Sequence, residues 1–190
     1  MPPKIKNTKE EILQAALQLV QEQGESGLNA RSLAKAMNCS TQPIYFNFGS
    51  MEHLKDEVCK LAKDLYQEYV EREIAKEKYS DYKATQIAYL RFANKERNLF
   101  KLLFLSSDET SVAESAAELG AFAEMVHRET GISKTEALFF HLKMWSSVHG
   151  MATMIATNRL SWDGKLISRL LSDIFEGILM KYEIKEDDEA

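Results

Sequence analysis

The stretch Cys39–Ser50 reads CSTQPIYFNFGS. Small hydroxyl residues and an amide precede Pro43, three aromatics follow within five residues, and Gly-Ser closes the run. A short helix reconciles these types. Ser40 is a good N-cap, and Pro43 then falls in the first turn, where its missing N–H costs no intrahelical bond. Ile44 and Phe48, one turn apart, share an inner face. Thr41, Gln42, Tyr45, Phe46 and Asn47 are left to the outer one. Upstream, ARSLAKAMN (Ala30–Asn38) forms a second short helix after Asn29, with Leu33, Ala34 and Met37 on one side. Asn38 tolerates the left-handed backbone that a tight turn needs. Small Ala34 lies where the two helices would cross, which makes a helix-turn-helix. Amides and hydroxyls on the outer face suit base edges, apolar rims suit thymine methyls, and the Tyr45 hydroxyl suits a phosphate oxygen. The competing reading is a helical hairpin whose aromatics are all core.

The rest of the chain also reads as helix. Thr8-Lys-Glu-Glu11 is a capping box opening a helix with Ile12, Ala15, Ala16, Leu19 and Val20 on one face, stopped by Gly24. Gly49-Ser50 ends the third helix and caps a long one over 51–76, striped with Leu54, Val58, Leu61, Leu65 and Tyr69. Ser80 caps another, with a kink near Asn94-Lys95 before LFKLLFL (Leu99–Leu105). Ser106–Asp108 is a loop, 112–128 an alanine-rich helix, and Ser133 caps an apolar helix to Asn158. After the turn Trp162-Asp163-Gly164 a last helix over 165–182 carries Ile167, Leu170, Leu171, Ile174, Phe175, Ile178 and Leu179, ahead of the charged tail EIKEDDEA. The expected fold is all-α.

Composition narrows the function classes. Of 190 residues, 45% are hydrophobic and 28% charged, the balance of a globular chain. The net charge of −5 is unevenly placed: seven bases and seven acids cancel through Lys60, so the remainder carries the negative charge. That distribution permits a nucleic-acid partner without requiring one. No apolar run reaches a membrane span and MPPKIKNTKEE has no signal-peptide core, so a cytoplasmic location with no membrane partner is expected. Cys39 and Cys59 form no CxxC pair. His141 and His149 stand two turns apart with no HExxH, so neither metal nor other cofactor is expected. Without a glycine-rich phosphate loop or a G-x-S-x-G element, no enzyme is expected, and no catalytic residue is assigned.

Ala30–Leu54, ARSLAKAMNCSTQPIYFNFGSMEHL, closely resembles the DNA-binding signature of the tetracycline-repressor (TetR/AcrR) family: small–Leu-Ala, a turn, Ser, Ile-Tyr-x-x-Phe, Gly-Ser, then Leu. Trp145-Ser-Ser-Val-His149-Gly150 is similar to a W-x-x-x-H-G stretch in one branch of that family. The resemblance implies that Thr41, Gln42, Tyr45, Phe46 and Asn47, together with Pro43, face DNA. It implies backbone contacts from Arg31, Lys4, Lys6 and Thr8. Met51 stands where a lysine commonly follows Gly-Ser; either Lys55, one turn later, substitutes for it or that contact is missing. Asn38 replaces the usual turn glycine. The implied organisation is a reading head over 1–50, a ligand-binding and dimerisation domain over 51–183, and a frayed acidic tail over 184–190.

In that larger part Ser146, Ser147, Gly150 and Ala152 admit a partner backbone, while Leu142, Val148 and Ile155 supply apolar area. The stripe of the last helix is broader than one neighbour would cover. The expected homodimer interface is therefore Leu142, Ser146, Gly150, Ile155, Ile167, Leu170, Leu171, Ile174, Phe175 and Ile178. Tyr66, Tyr89, Phe92, Phe100, Phe104, Phe122, Met125, Met144, Trp145 and His149 would line an apolar ligand cavity. The expected function is a repressor that leaves a near-palindromic operator when a small apolar or aromatic effector binds. The alternatives are a constitutive DNA binder without an effector and a helical protein–protein adaptor.

Overall fold

The computed structural model describes residues 7–106 and 116–187. Among these residues there is no strand, and nine α-helices follow one another: α1 (Lys9–Gln23), α2 (Ala30–Ala36), α3 (Gln42–Phe48), α4 (Met51–Ile74), α5 (Asp81–Lys95), α6 (Arg97–Phe104), α7 (Ala116–Thr130), α8 (Lys134–Ala156) and α9 (Gly164–Asp187). A single 3-10 turn, Glu25–Gly27, joins α1 to α2.

The helix starts follow from side-chain chemistry. Thr8 Oγ1 accepts from the Glu11 amide at 3.2 Å while the Glu11 carboxylate accepts from the Thr8 amide at 3.0 Å, a complete capping box. Asn29 Oδ1 accepts from the Ser32 amide at 2.9 Å to open α2, and Ser50 Oγ accepts from the His53 amide at 3.1 Å to open α4. Ser133 and Glu136 form a second capping box at α8. Helix α3 departs from expectation. Its N-cap is Thr41, not Ser40, and no side chain caps it. Pro43 in the first turn lacks an N–H, so one of the donors a cap would satisfy is missing. Asn38, at φ 51°, takes the left-handed turn position, and Gly49, at φ 73°, ends α3.

Other boundaries move. The break between α5 and α6 falls at Glu96. Residues 112–115 of the expected alanine-rich helix lie outside the described residues. Helix α8 stops at Ala156, with Asn158 left-handed just beyond, and α9 continues to Asp187 rather than ending near Tyr182.

Contacts divide the chain into two compact units, Met1–Leu65 with Glu96–Ser111, and Tyr66–Lys95 with Val112–Ala190. In the first unit α6 packs on α1. Asn98 Nδ2 donates to the Gln21 carbonyl at 2.8 Å and Gln21 Nε2 donates to Glu96 at 2.9 Å, while Leu99, Phe100, Leu102 and Leu103 are fully buried. Helices α2 and α3 pack on the same α1, whose Ile12, Ala16 and Val20 are buried. In the second unit α8 packs against α7, α5 and α9. Its centre is aromatic: the Tyr82 hydroxyl and His141 Nδ1 share a 3.0 Å hydrogen bond, Phe122 stacks on His141 at 4.5 Å, and Phe140 meets Phe175 edge-on at 4.9 Å.

Candidate nucleic-acid interface and ligand cleft

Helix α3 separates its two faces cleanly. Ile44 and Phe48 are buried, while Gln42 is exposed and Tyr45 and Phe46 are 47% and 87% exposed. Burying Ile44 and Phe48 is worth about 1.5–3 kcal/mol apiece, enough to hold so short a helix to its neighbours. Beyond Gly49 the His53 ring caps the junction, its Nδ1 sharing a 2.9 Å hydrogen bond with the Phe48 carbonyl. A Phe46 this exposed packs against little among the described residues, and its ring gains burial energy only where another surface covers it.

The remaining candidates differ in how available they are. Thr41, Pro43 and Asn47 are half-buried. Asn47 Nδ2 donates to the Pro43 carbonyl at 2.8 Å, which holds that amide along its own helix. Arg31 is exposed in the first turn of α2. Lys55 is half-buried and ion-paired with Glu25 at 2.6 Å, so a phosphate would compete with that carboxylate. Thr8 caps α1 with its hydroxyl. Lys4 and Lys6 lie outside the described residues.

The residues chosen for an apolar cavity fall in both units. Phe100 and Phe104 belong to the first, where their rings lie 5.1 Å apart. In the second, Tyr89, Phe92 and Met144 are buried and Tyr66, Phe122, Met125, Trp145 and His149 are half-buried. Tyr66 meets Tyr89 and Phe92 edge-on at 5.9 and 5.4 Å, and the Tyr89 hydroxyl bonds His149 Nδ1 at 2.9 Å. Trp145 stacks on His149 at 5.3 Å. Burial pulls the His149 imidazole below its ordinary pKa.

A sizeable space opens elsewhere in the second unit and contains none of those ten residues. A cleft of about 1050 Å³ is lined by Glu73, Lys76, Lys78, Tyr79, Ile87, Arg91, Ser168, Ser172, Lys165, Arg169 and the turn Trp162–Gly164. Glu73 is buried and ion-paired with both Lys76 and Arg91. The Arg91 guanidinium lies 5.8 Å from the Trp162 ring centre. Asp163 accepts from the Lys165 and Leu166 amides at 2.8 and 3.1 Å; these bonds, Leu166 foremost, hold its carboxyl below its ordinary pKa. The Ser168 hydroxyl, and Lys78 after it, lower the Tyr79 phenol. Both acids are thus engaged within the protein, and the lining is cationic. Sequence reading passed over these residues because the segments 73–91 and 162–172 that supply them lie about seventy residues apart in the chain. Their one local signal was the basic turn Lys76–Tyr79.

Of the expected dimer residues, Ile155, Ile167 and Leu171 are buried within the chain itself and give a partner no surface. Leu142, Ser146 and Gly150 are exposed, and Leu170, Ile174, Phe175 and Ile178 are half-buried. Sequence reading missed Phe139, Met154, Leu166 and Met180, large apolar side chains that are exposed on α8 and α9. Among the described residues no His, Cys, Asp or Glu side chains gather in threes to hold a metal, and no helix is long and apolar enough to cross a membrane.

Comparison with known proteins places this architecture. No curated protein matches the chain. A solved structure described as a member of the TetR family from Streptomyces coelicolor superposes with a TM-score of 0.63 over 87% of this chain and 96% of that one, at 14% identity. At that identity the likeness speaks for the fold. The sequence itself matches two family patterns: residues 12–58 match the bacterial regulatory proteins of the tetR family, and residues 83–175 match the tetracyclin repressor-like C-terminal domain. With an α1–α3 head that carries a helix-turn-helix, followed by a helical C-terminal part, the chain belongs to the TetR family of DNA-binding transcriptional regulators.

Proposed function

We propose that this protein is a cytoplasmic, homodimeric repressor that leaves a near-palindromic operator when a small molecule binds its C-terminal part. The observation that carries the reading is the exposed trio Gln42, Tyr45 and Phe46 on a helix anchored from beneath by Ile44 and Phe48. An amide, a phenol and an aromatic ring on one open face are the groups that read major-groove edges and grip phosphate. Thr41, Pro43 and Asn47 flank that face, and Arg31 adds a backbone contact from α2.

Dimerisation follows from the second unit. Phe139, Leu142, Ser146, Gly150 and Met154 run along α8 at helical spacing, and Leu166, Leu170, Gly177 and Met180 do so along α9. A side chain at Gly150 or Gly177 would meet nothing within 4 Å, so a partner backbone can approach there. A two-fold axis through this face presents two α3 helices, about 34–36 Å or a multiple apart, to successive grooves. Helix α4 contributes residues to both compact units, and it is the lever by which effector binding shifts the population between operator-matched and mismatched dimers.

Electrophoretic shift against the DNA flanking the gene tests the reading. Tyr45→Ala and Gln42→Ala should each weaken binding about tenfold, the loss of one good contact at 1–3 kcal/mol, with helicity and dimer mass unchanged. Undiminished binding in both variants would remove α3 as the reading element.

A further inference from the structure

We infer that the cleft between the end of α4, α5 and the start of α9 binds an oxyanion carried on a planar organic body, and that Arg91 and Lys165 hold its charge. The inference rests on the proposed effector-gated reading, since it supplies the chemistry of the effector.

Five cations line the cleft, Lys76, Lys78, Arg91, Lys165 and Arg169, against two carboxylates, Glu73 and Asp163. Neither carboxylate faces the ligand as unopposed charge: Glu73 is buried between Lys76 and Arg91, and Asp163 is tied to the first amides of α9. A cationic cavity in a chain whose net charge is −5 is a local exception. It concentrates anions where low-dielectric walls focus the field.

Arg91 Nε lies 3.3 Å from the Glu73 carboxylate, yet it is buried without an acceptor in line with its N–H. That edge of the guanidinium is turned into the protein, but the side chain is 41% exposed beside the Trp162 ring, and its outer nitrogens suit a carboxylate or phosphate held by paired hydrogen bonds. Ser168, Ser172 and the Tyr79 phenol add hydroxyls to the same wall. Trp162 and Tyr79 supply flat apolar faces. The volume, about 1050 Å³, is at the upper end for small-molecule sites and far exceeds an inorganic ion. The charge therefore recognises a head group, and the rings recognise what bears it.

Isothermal titration calorimetry on the full-length protein tests this with three probes sharing one body: 1-naphthoate, 1-naphthyl phosphate and neutral 1-naphthamide. Inorganic phosphate is the control for loose ion binding. One or both organic anions should bind saturably, at least about tenfold tighter than the amide. The stronger of the two identifies the head group as carboxylate or phosphate. Arg91→Met should weaken that anion about tenfold and Lys165→Ala by a smaller factor, with neither altering naphthamide binding. Because Arg91→Met leaves the buried Glu73 with Lys76 alone, the paired variant Arg91→Met/Glu73→Gln removes both charges together; circular dichroism verifies that each is folded. Equal affinity for amide and anion, no saturable heat from either anion at millimolar concentration, or undiminished anion binding in folded Arg91 and Lys165 variants would each overturn the site. Operator binding by these variants is read separately. Anion binding with no effect on the operator complex keeps the site and removes the gating, whereas loss of the site with operator binding intact leaves the DNA-binding reading standing.

Discussion

Phe46 and His149 are two side chains set against water in different ways. Phe46 leaves most of an aromatic ring in water, as the unfolded chain does, so it adds nothing to folding and gains burial energy only when a surface covers it. His149 is half-buried between the Tyr89 hydroxyl and the Trp145 ring, and desolvation lowers its pKa below the ordinary 6.5. The unfolded chain therefore takes up a proton at a pH where the folded chain still refuses it. Stability from the neutral ring is complete above about pH 6.5 and declines as the pH falls through that value. His149→Phe should flatten this decline: thermal midpoints between about pH 7 and pH 5 should drop less in the variant than in the parent. Equal slopes would place the proton-linked loss on another group.

Helices here are set largely by their ends. Both capping boxes, Thr8 with Glu11 and Ser133 with Glu136, satisfy first-turn amides of helices that are then held by packing. Helix α8 depends on its cap because Gly131, at φ 79°, and Ile132 separate it from α7. Ser133→Ala should lower unfolding free energy by about 1 kcal/mol in urea titration, with little change in the denaturant slope. Ser133→Asn should recover most of it. The uncapped start of α3 is the contrasting case, held by Ile44 and Phe48 rather than by a cap.

At the scale of the molecule the question is what covers the apolar side chains on α8 and α9. Leu142, Met154, Leu166 and Met180 are exposed on a chain whose other large aliphatic groups are mostly buried or half-buried. Placing a carboxylate there opposes association without touching the protomer core. Leu142→Glu combined with Met180→Glu should halve the mass seen by analytical ultracentrifugation and cut operator affinity, because one reading head loses the partner that binds the second half-site. An unchanged mass would move the interface elsewhere. Ile155, Ile167 and Leu171 suit no such test, since they fill the protomer interior and their loss would unfold it.

Local chemistry was legible in the chain. Caps, turns and helical spacing act over a few residues, so Thr8, Asn29, Asn38, Gly49 and Ser133 declared their elements. The motif in Ala30–Leu54 declared the family that the comparisons show. What depends on residues distant along the chain was not legible. The acid that claims Lys55 lies thirty positions upstream at Glu25. Helix α6 joins α1 through Asn98 and Gln21. The charged cleft assembles only when segments near residues 73–79, 91 and 162–172 converge. In helices of broad hydrophobicity periodicity names the apolar positions but not the neighbour each one meets, so only the packed structure separated Ile155, Ile167 and Leu171 from the exposed face beside them.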